Sequence, residues 1–195
     1  MRKKQIAVAL LLFCLMLTAL FCGKKKGAGK ADPAVVEAAF AAMESRDAAQ
    51  VTEIVMATPS LAYAKDEMNN TLLHLAAYRG YRDLALLLLE KGADVNALAA
   101  RQFTPLHYAA SLGHEQVCRL LVEKGVEVNA KDSEGQTALH WAAMNNLDSI
   151  CGLLIENQAL VNEKNNEGQT PLKLALERNQ AEAAAVLQQS GGTAD

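Results

Sequence analysis

Three histidines, His74, His107 and His140, recur at one interval of 33 residues, and a fourth, His114, stands among them. Imidazoles ligate zinc and exchange protons near neutral pH, so such a set raises a metal or general-base chemistry. Cys118 and Cys151 keep the same interval and raise a redox chemistry. Little else in the chain supports catalysis. The sequence has no nucleophile elbow, phosphate-cradling glycine loop, HExxH pattern or paired-cysteine zinc motif. Glu115, Glu123 and Glu156 fall at helical surface positions without a partner pattern. An enzyme is therefore not expected, nor a cofactor.

The interval that carries the histidines governs most of the chain. Asn69–Gly80 (NNTLLHLAAYRG), Gln102–Gly113 (QFTPLHYAASLG), Gly135–Asn146 (GQTALHWAAMNN) and Gly168–Asn179 (GQTPLKLALERN) repeat one another. Thr71, Thr104, Thr137 and Thr170 are spaced by 33, as are Leu73, Leu106, Leu139 and Leu172. Asn96, Asn129 and Asn162 mark a second landmark at the same spacing. A fixed period of this length signals a solenoid of stacked units. Each unit reads as two antiparallel helices and a turn. Thr104-Pro105 opens the first helix, with the hydroxyl as cap and proline where no donor is needed. Leu106, Ala109 and Ala110 form its buried stripe, Gly113 ends it, and Val117, Leu120 and Leu121 form the stripe of the second helix.

The patterns T-P-L-H-x-A-A and L-L-x-x-G-A-x-V-N resemble the ankyrin repeat. The resemblance implies an all-α solenoid of helix-turn-helix units with hairpin-like turns over residues 34–192. The expected units are a degenerate cap at 34–65, repeats at 66–98, 99–131 and 132–164, and a C-terminal cap at 165–192. Stacked repeats lie about one helix diameter, about 10 Å, apart, so histidines in successive repeats cannot share a zinc ion that needs nitrogens at about 2.0 Å. The resemblance gives them a structural role instead, as hydrogen-bond partners of the turn backbone. The same separation exceeds the roughly 7 Å that a disulfide between Cys118 and Cys151 tolerates, so two buried, inert thiols are expected.

The resemblance also implies a concave, protein-binding surface of turn tips and first-helix ends. Those positions hold Glu67, Met68, Asn70, Tyr78 and Arg79, then Ala100, Arg101, Phe103, Ser111 and Leu112, then Ser133, Glu134, Gln136, Met144 and Asn145. Phe103 replaces the polar Asn70, Gln136 and Gln169 of its repeat position, and Leu112 and Met144 are apolar where solvent would favour charge. With Tyr78, Arg79, Arg101 and Asn145 they form the mixture favoured at interface hot spots. Tyr108 and Trp141, at the position of Leu75 and Leu174, are expected to pack into the stack. Ala99 and Gln102 stand where the turn motif has Asp and Gly, and Asn69 stands at the Gly position of the first turn, which predicts that both turns are less regular than those at Gly135 and Gly168.

Composition supports a folded chain. Of the 195 residues 51% are hydrophobic but only 5% aromatic, so the core must be built from Ala, Leu and Val. Seven of the 19 basic residues lie in the first thirty, which hold no acid; the remaining 12 face 22 acids, a net −10. Such a balance disfavours nucleic acid as a partner. The start, MRKK, precedes a 17-residue apolar run at 6–22, about 25 Å long as a helix and short for a bilayer core. Residues 1–22 resemble a bacterial lipoprotein signal with Cys22 as lipid acceptor, although Phe21 stands where that family wants a small residue. An uncleaved anchor and cleavage after Ala19 remain open. Every version predicts export, and the lipidated and uncleaved versions also predict membrane association, with residues 23–33 as a Lys/Gly-rich tether. The reading is an exported ankyrin adaptor, a monomeric array holding a partner protein. The alternatives are a metal- or redox-active envelope protein and an intracellular ankyrin regulator.

Overall fold

The computed structural model describes residues 31–195. The apolar run, Cys22 and most of the tether lie outside the described residues. Local chemistry starts each helix. Asp32 accepts from the Ala34 amide at 2.9 Å and Pro33 occupies the first turn of α1 (Pro33–Glu44). Asp47 caps α2 (Ala48–Ala57) through the Gln50 amide, also at 2.9 Å. A 3-10 turn at Pro59–Tyr63 ends this first pair. Then follow α3 (Leu72–Arg79) and α4 (Arg82–Glu90), α5 (Pro105–Ser111) and α6 (Glu115–Glu123), α7 (Ala138–Met144) and α8 (Asp148–Glu156), and α9 (Pro171–Glu177) and α10 (Ala181–Gln189). Between α3 and α4, Gly80 takes a left-handed conformation (φ 73°), and the His114 ring lies 2.6 Å from where a Cβ would stand. A side chain there would clash as well as strain the backbone.

The ten helices of the described residues stand in two rows, each odd helix against the next odd one and each even helix against the next even one. Ala76, Ala77, Ala109, Ala110, Ala142, Ala143 and Ala175 are buried in the odd row, where small side chains let short helices approach closely. The even row buries Leu84, Val117, Ile150 and Ala183, then Leu88, Leu121, Leu154 and Leu187, at corresponding positions. Each unit lends one apolar face to its neighbour, so the core runs along the stack rather than within a unit. Val51, Ile54 and Val55 of α2 extend the even row by one layer. Among the described residues there is no strand beyond an isolated bridge between Lys65 and Thr71, and no helix is long and apolar enough to cross a membrane. The all-α solenoid expected from the sequence is the fold observed.

Asparagines tie the units together at their stems. Asn96 accepts from the Glu127 amide at 2.8 Å, Asn129 from Leu160 at 2.8 Å and Asn162 from Thr193 at 2.7 Å. Asn129 also donates to the Gln158 carbonyl and Asn162 to that of Gly191, both at 3.0 Å. The tail after α10 thus receives the same side-chain bonds as a further repeat stem.

Candidate functional site

The turn tips form one edge of the array, and three of four are built alike. The Asp66 carboxylate accepts from the Met68 and Asn70 amides at 2.9 and 2.8 Å. Asp132 does the same for Glu134 and Gln136 at 2.8 and 2.9 Å, and Asn165 for Glu167 and Gln169 at 3.0 and 2.9 Å. Ala99 holds this position in the central turn and has no acceptor to offer. The turn closes instead as a short 3-10 segment with two successive left-handed residues, Arg101 (φ 60°) and Gln102 (φ 59°). The other turns carry one such residue each, Asn69, Gly135 or Gly168. The irregularity expected at this turn is real, and missing side-chain chemistry is its cause; the first turn, also expected to be irregular, is regular because Asp66 supplies the acceptor and Asn69 adopts the left-handed conformation. Backbone bonds still link the tips in series: Ala100 donates to Met68, Ser133 to Arg101 and Asn166 to Glu134, at 2.8–3.0 Å.

Beside the tips, aromatic rings form a continuous row across three repeats. Tyr78 and Tyr108 meet edge to face at 5.8 Å, Phe103 lies 5.2 Å from Tyr108, and Phe103 meets Trp141 at 5.3 Å. Phe103, Tyr108 and Trp141 are half-buried, so each keeps part of its ring in solvent. Tyr78 and Leu112 are exposed at 42% and 46%, and Met68 at 61%. The Arg79 guanidinium lies 5.3 Å from the Tyr78 ring centre, and that of Arg101 6.0 Å from Phe103 while pairing with Glu134. The polar ends of Tyr108 and Trp141 are already satisfied. The Tyr108 hydroxyl donates to Asn70, whose amide donates to Asp66, at 3.2 and 3.0 Å, and the Trp141 indole donates to Asp132 at 3.0 Å.

Several positions differ from the sequence expectation. Met144 is 6% exposed and belongs to the core, not to a surface. Its unbranched thioether side chain lies against neighbouring atoms, whereas the rigid phenol at the same repeat position, Tyr78, stands out. Asn70 and Gln136 are buried beneath the turns. Asn145 is exposed, but its amide donates to the carbonyls of Ser111 and Trp141 at 3.1 and 3.0 Å, which joins α7 to the preceding repeat. Tyr108 and Trp141, assigned to the stack, are half-buried and share the aromatic row. Helical periodicity tells which way a Cβ points but not how far a large ring projects beyond the packed layer.

The histidines are framework. In His74, Nδ1 accepts from the Thr71 amide at 3.1 Å, while Nε2 donates to the carbonyls of Ala97 and Phe103 at 3.0 and 3.1 Å. His107 bridges Thr104 to Gln136, and His140 bridges Thr137 to Gln169, with the donated bond at 3.2 Å in both. Each imidazole therefore fastens its own helix cap to the next repeat's turn. Burial lowers all three pKa values, that of His74 to about 4, so the rings are neutral at physiological pH. His114 donates to the Tyr78 carbonyl at 3.0 Å. Cys118 and Cys151 are fully buried, and burial pushes both thiols up to about 12. Such thiols hold almost no thiolate at neutral pH. Among the described residues no group of three His, Cys, Asp or Glu side chains is placed to hold a metal ion.

A family model for ankyrin repeats, in three copies, matches residues 38–132 and 126–195. The chain belongs to the ankyrin repeat family. Ankyrin repeats are in general non-enzymatic scaffolds for contacts between proteins. Among curated proteins, the serine/threonine-protein kinase VIK of Arabidopsis thaliana is 42% identical to this ankyrin chain over 59 residues. That stretch is 30% of the ankyrin chain and 14% of the kinase, so the chain spans a small part of that relative's length.

Proposed function

We propose that this ankyrin chain is a non-catalytic binding module that holds a partner protein on its turn tips and aromatic row. One observation carries the reading: Tyr78, Tyr108, Phe103 and Trp141 form a contiguous row of partly exposed rings across three repeats. Soluble surfaces seldom line up aromatic rings beside arginines unless something covers them. Arg79, Arg101, Leu112 and Asn145 border the row, and Met144 leaves the proposed site because it is buried. The basic start and apolar run at 1–22 support a module exported and tethered to the cell envelope, through a lipid on Cys22 or an uncleaved helix.

Two measurements test this. Crosslinking of the full chain in its native envelope fraction, with and without Tyr78→Ala, Phe103→Ala and Leu112→Ala together, should capture a protein that the triple variant loses. A partner retained equally by the variant sinks the assignment of this surface. Intact mass of the membrane-extracted protein tests the tether: a start at Cys22 with added acyl mass supports lipidation, a chain beginning at Met1 supports an uncleaved helix, and a soluble full-length chain sinks both.

A further inference from the structure

The rings of the aromatic row differ in what already sits on them. Tyr78 and Phe103 each have a guanidinium of this chain nearby, Arg79 and Arg101. Among the described residues no guanidinium lies over Tyr108 or Trp141, yet each is wired from its polar end to a carboxylate, Tyr108 through Asn70 to Asp66 and Trp141 directly to Asp132. A ring whose O–H or N–H donates toward an anion gains electron density, which strengthens the pull of its face on a cation. Burial first, and then the Asp66 carboxylate, hold the Tyr108 phenol above its ordinary pKa, with Arg101 opposing. The wider charge has the same sign, since residues 31–195 carry a net −10.

Resting on the binding function proposed above, we infer that the partner segment is a basic peptide, seating lysine or arginine side chains over Tyr108 and Trp141. Charge complementarity selects this occupant. An acidic segment would meet a net-negative array and two carboxylates behind the rings, and a purely apolar one would leave that field unused. Arg79 at one end of the row and Arg101 beside Phe103 show that ring faces here accept guanidinium groups, and Glu134 already neutralises Arg101.

Trp141 is the sole tryptophan of the chain, so its emission reports directly on the proposed seat. The full chain is titrated with three pentapeptides of alternating glycine, carrying two arginines, two lysines or two glutamates. Saturable emission changes are expected with the basic peptides, at least about tenfold tighter than with the glutamate peptide and weakening as salt rises. Two variants keep the framework. Tyr108→Leu takes the residue of Leu75 and Leu174, and Asp132→Asn takes that of Asn165, which builds the same turn. Each should weaken basic-peptide binding about 3–30-fold, with thermal melting checked on the same samples. Equal binding of acidic and basic peptides, no saturable change with either, or unaltered binding by Tyr108→Leu overturns the inference. The crosslinking test decides the parent reading separately: a partner lost with the Tyr78, Phe103 and Leu112 variant but insensitive to Tyr108→Leu leaves the surface standing and removes the basic occupant.

Discussion

His74 donates its Nε2 hydrogen to the Phe103 carbonyl at 3.1 Å, tying the framework of one repeat to the residue at the centre of the next repeat's aromatic row. Stability and surface are therefore joined through one buried imidazole. Its other nitrogen accepts from the Thr71 amide, so the ring must remain neutral to hold both bonds.

Acid should loosen the array. A histidine whose pKa falls on folding contributes stability that is complete above its unfolded value near 6.5 and is lost as pH drops toward its folded value, about 4 for His74. This difference is worth about 3 kcal/mol for His74, and His107 and His140 act in the same direction. Thermal melts followed by circular dichroism should show a falling midpoint from pH 6.5 to 4.5. A midpoint that stays level across that window refutes the account.

The central turn should be improvable. Ala99→Asp supplies the acceptor present at Asp66, Asp132 and Asn165, and Gln102→Gly removes one left-handed side chain. Each change is expected to add about 0.5–2 kcal/mol, read as a higher urea midpoint. Destabilisation by Gln102→Gly would mean that its side chain has contacts worth more than the strain.

Replacing Thr104 by Ala removes the hydroxyl that bonds the His107 ring at 2.8 Å and caps α5. A loss of about 1–2 kcal/mol is expected in urea denaturation. Thr104→Ser should recover most of it; failure of Ser to do so would assign the effect to the lost methyl group.

Met144 and Leu112 should separate stability from surface. Met144→Ala opens a buried site and is expected to cost about 2–5 kcal/mol, whereas Leu112→Ala, at an exposed position, should fall within about 0.5 kcal/mol of the parent. Parallel melts of the two variants test this, and an equal cost would contradict the burial difference.

Cys118 and Cys151 should ignore a thiol reagent such as a disulfide dye at pH 8 until the chain unfolds, because burial holds both thiols up at about 12. Rapid labelling of the native protein would show that the even row of helices opens readily.

The sequence alone determined the stack. Thr71, Leu73 and His74 and their counterparts every 33 residues define a unit that cannot bury its own apolar face, so neighbours must supply the partner surface. It also foretold the inert thiols, the framework histidines and the irregular turn at Ala99 and Gln102, since each depends on repeat position or local backbone chemistry. The extent of the surface was decided only in three dimensions. Tyr78, Ser111 and Met144 occupy one repeat position, yet Tyr78 is exposed and Met144 is core. Tyr108 and Trp141 look like framework in one dimension but join Phe103 in a row that crosses repeat boundaries. A repeat pattern fixes where each Cβ points; which side chains then touch depends on ring size, side-chain flexibility and the neighbour 33 residues away, and packing alone sets that.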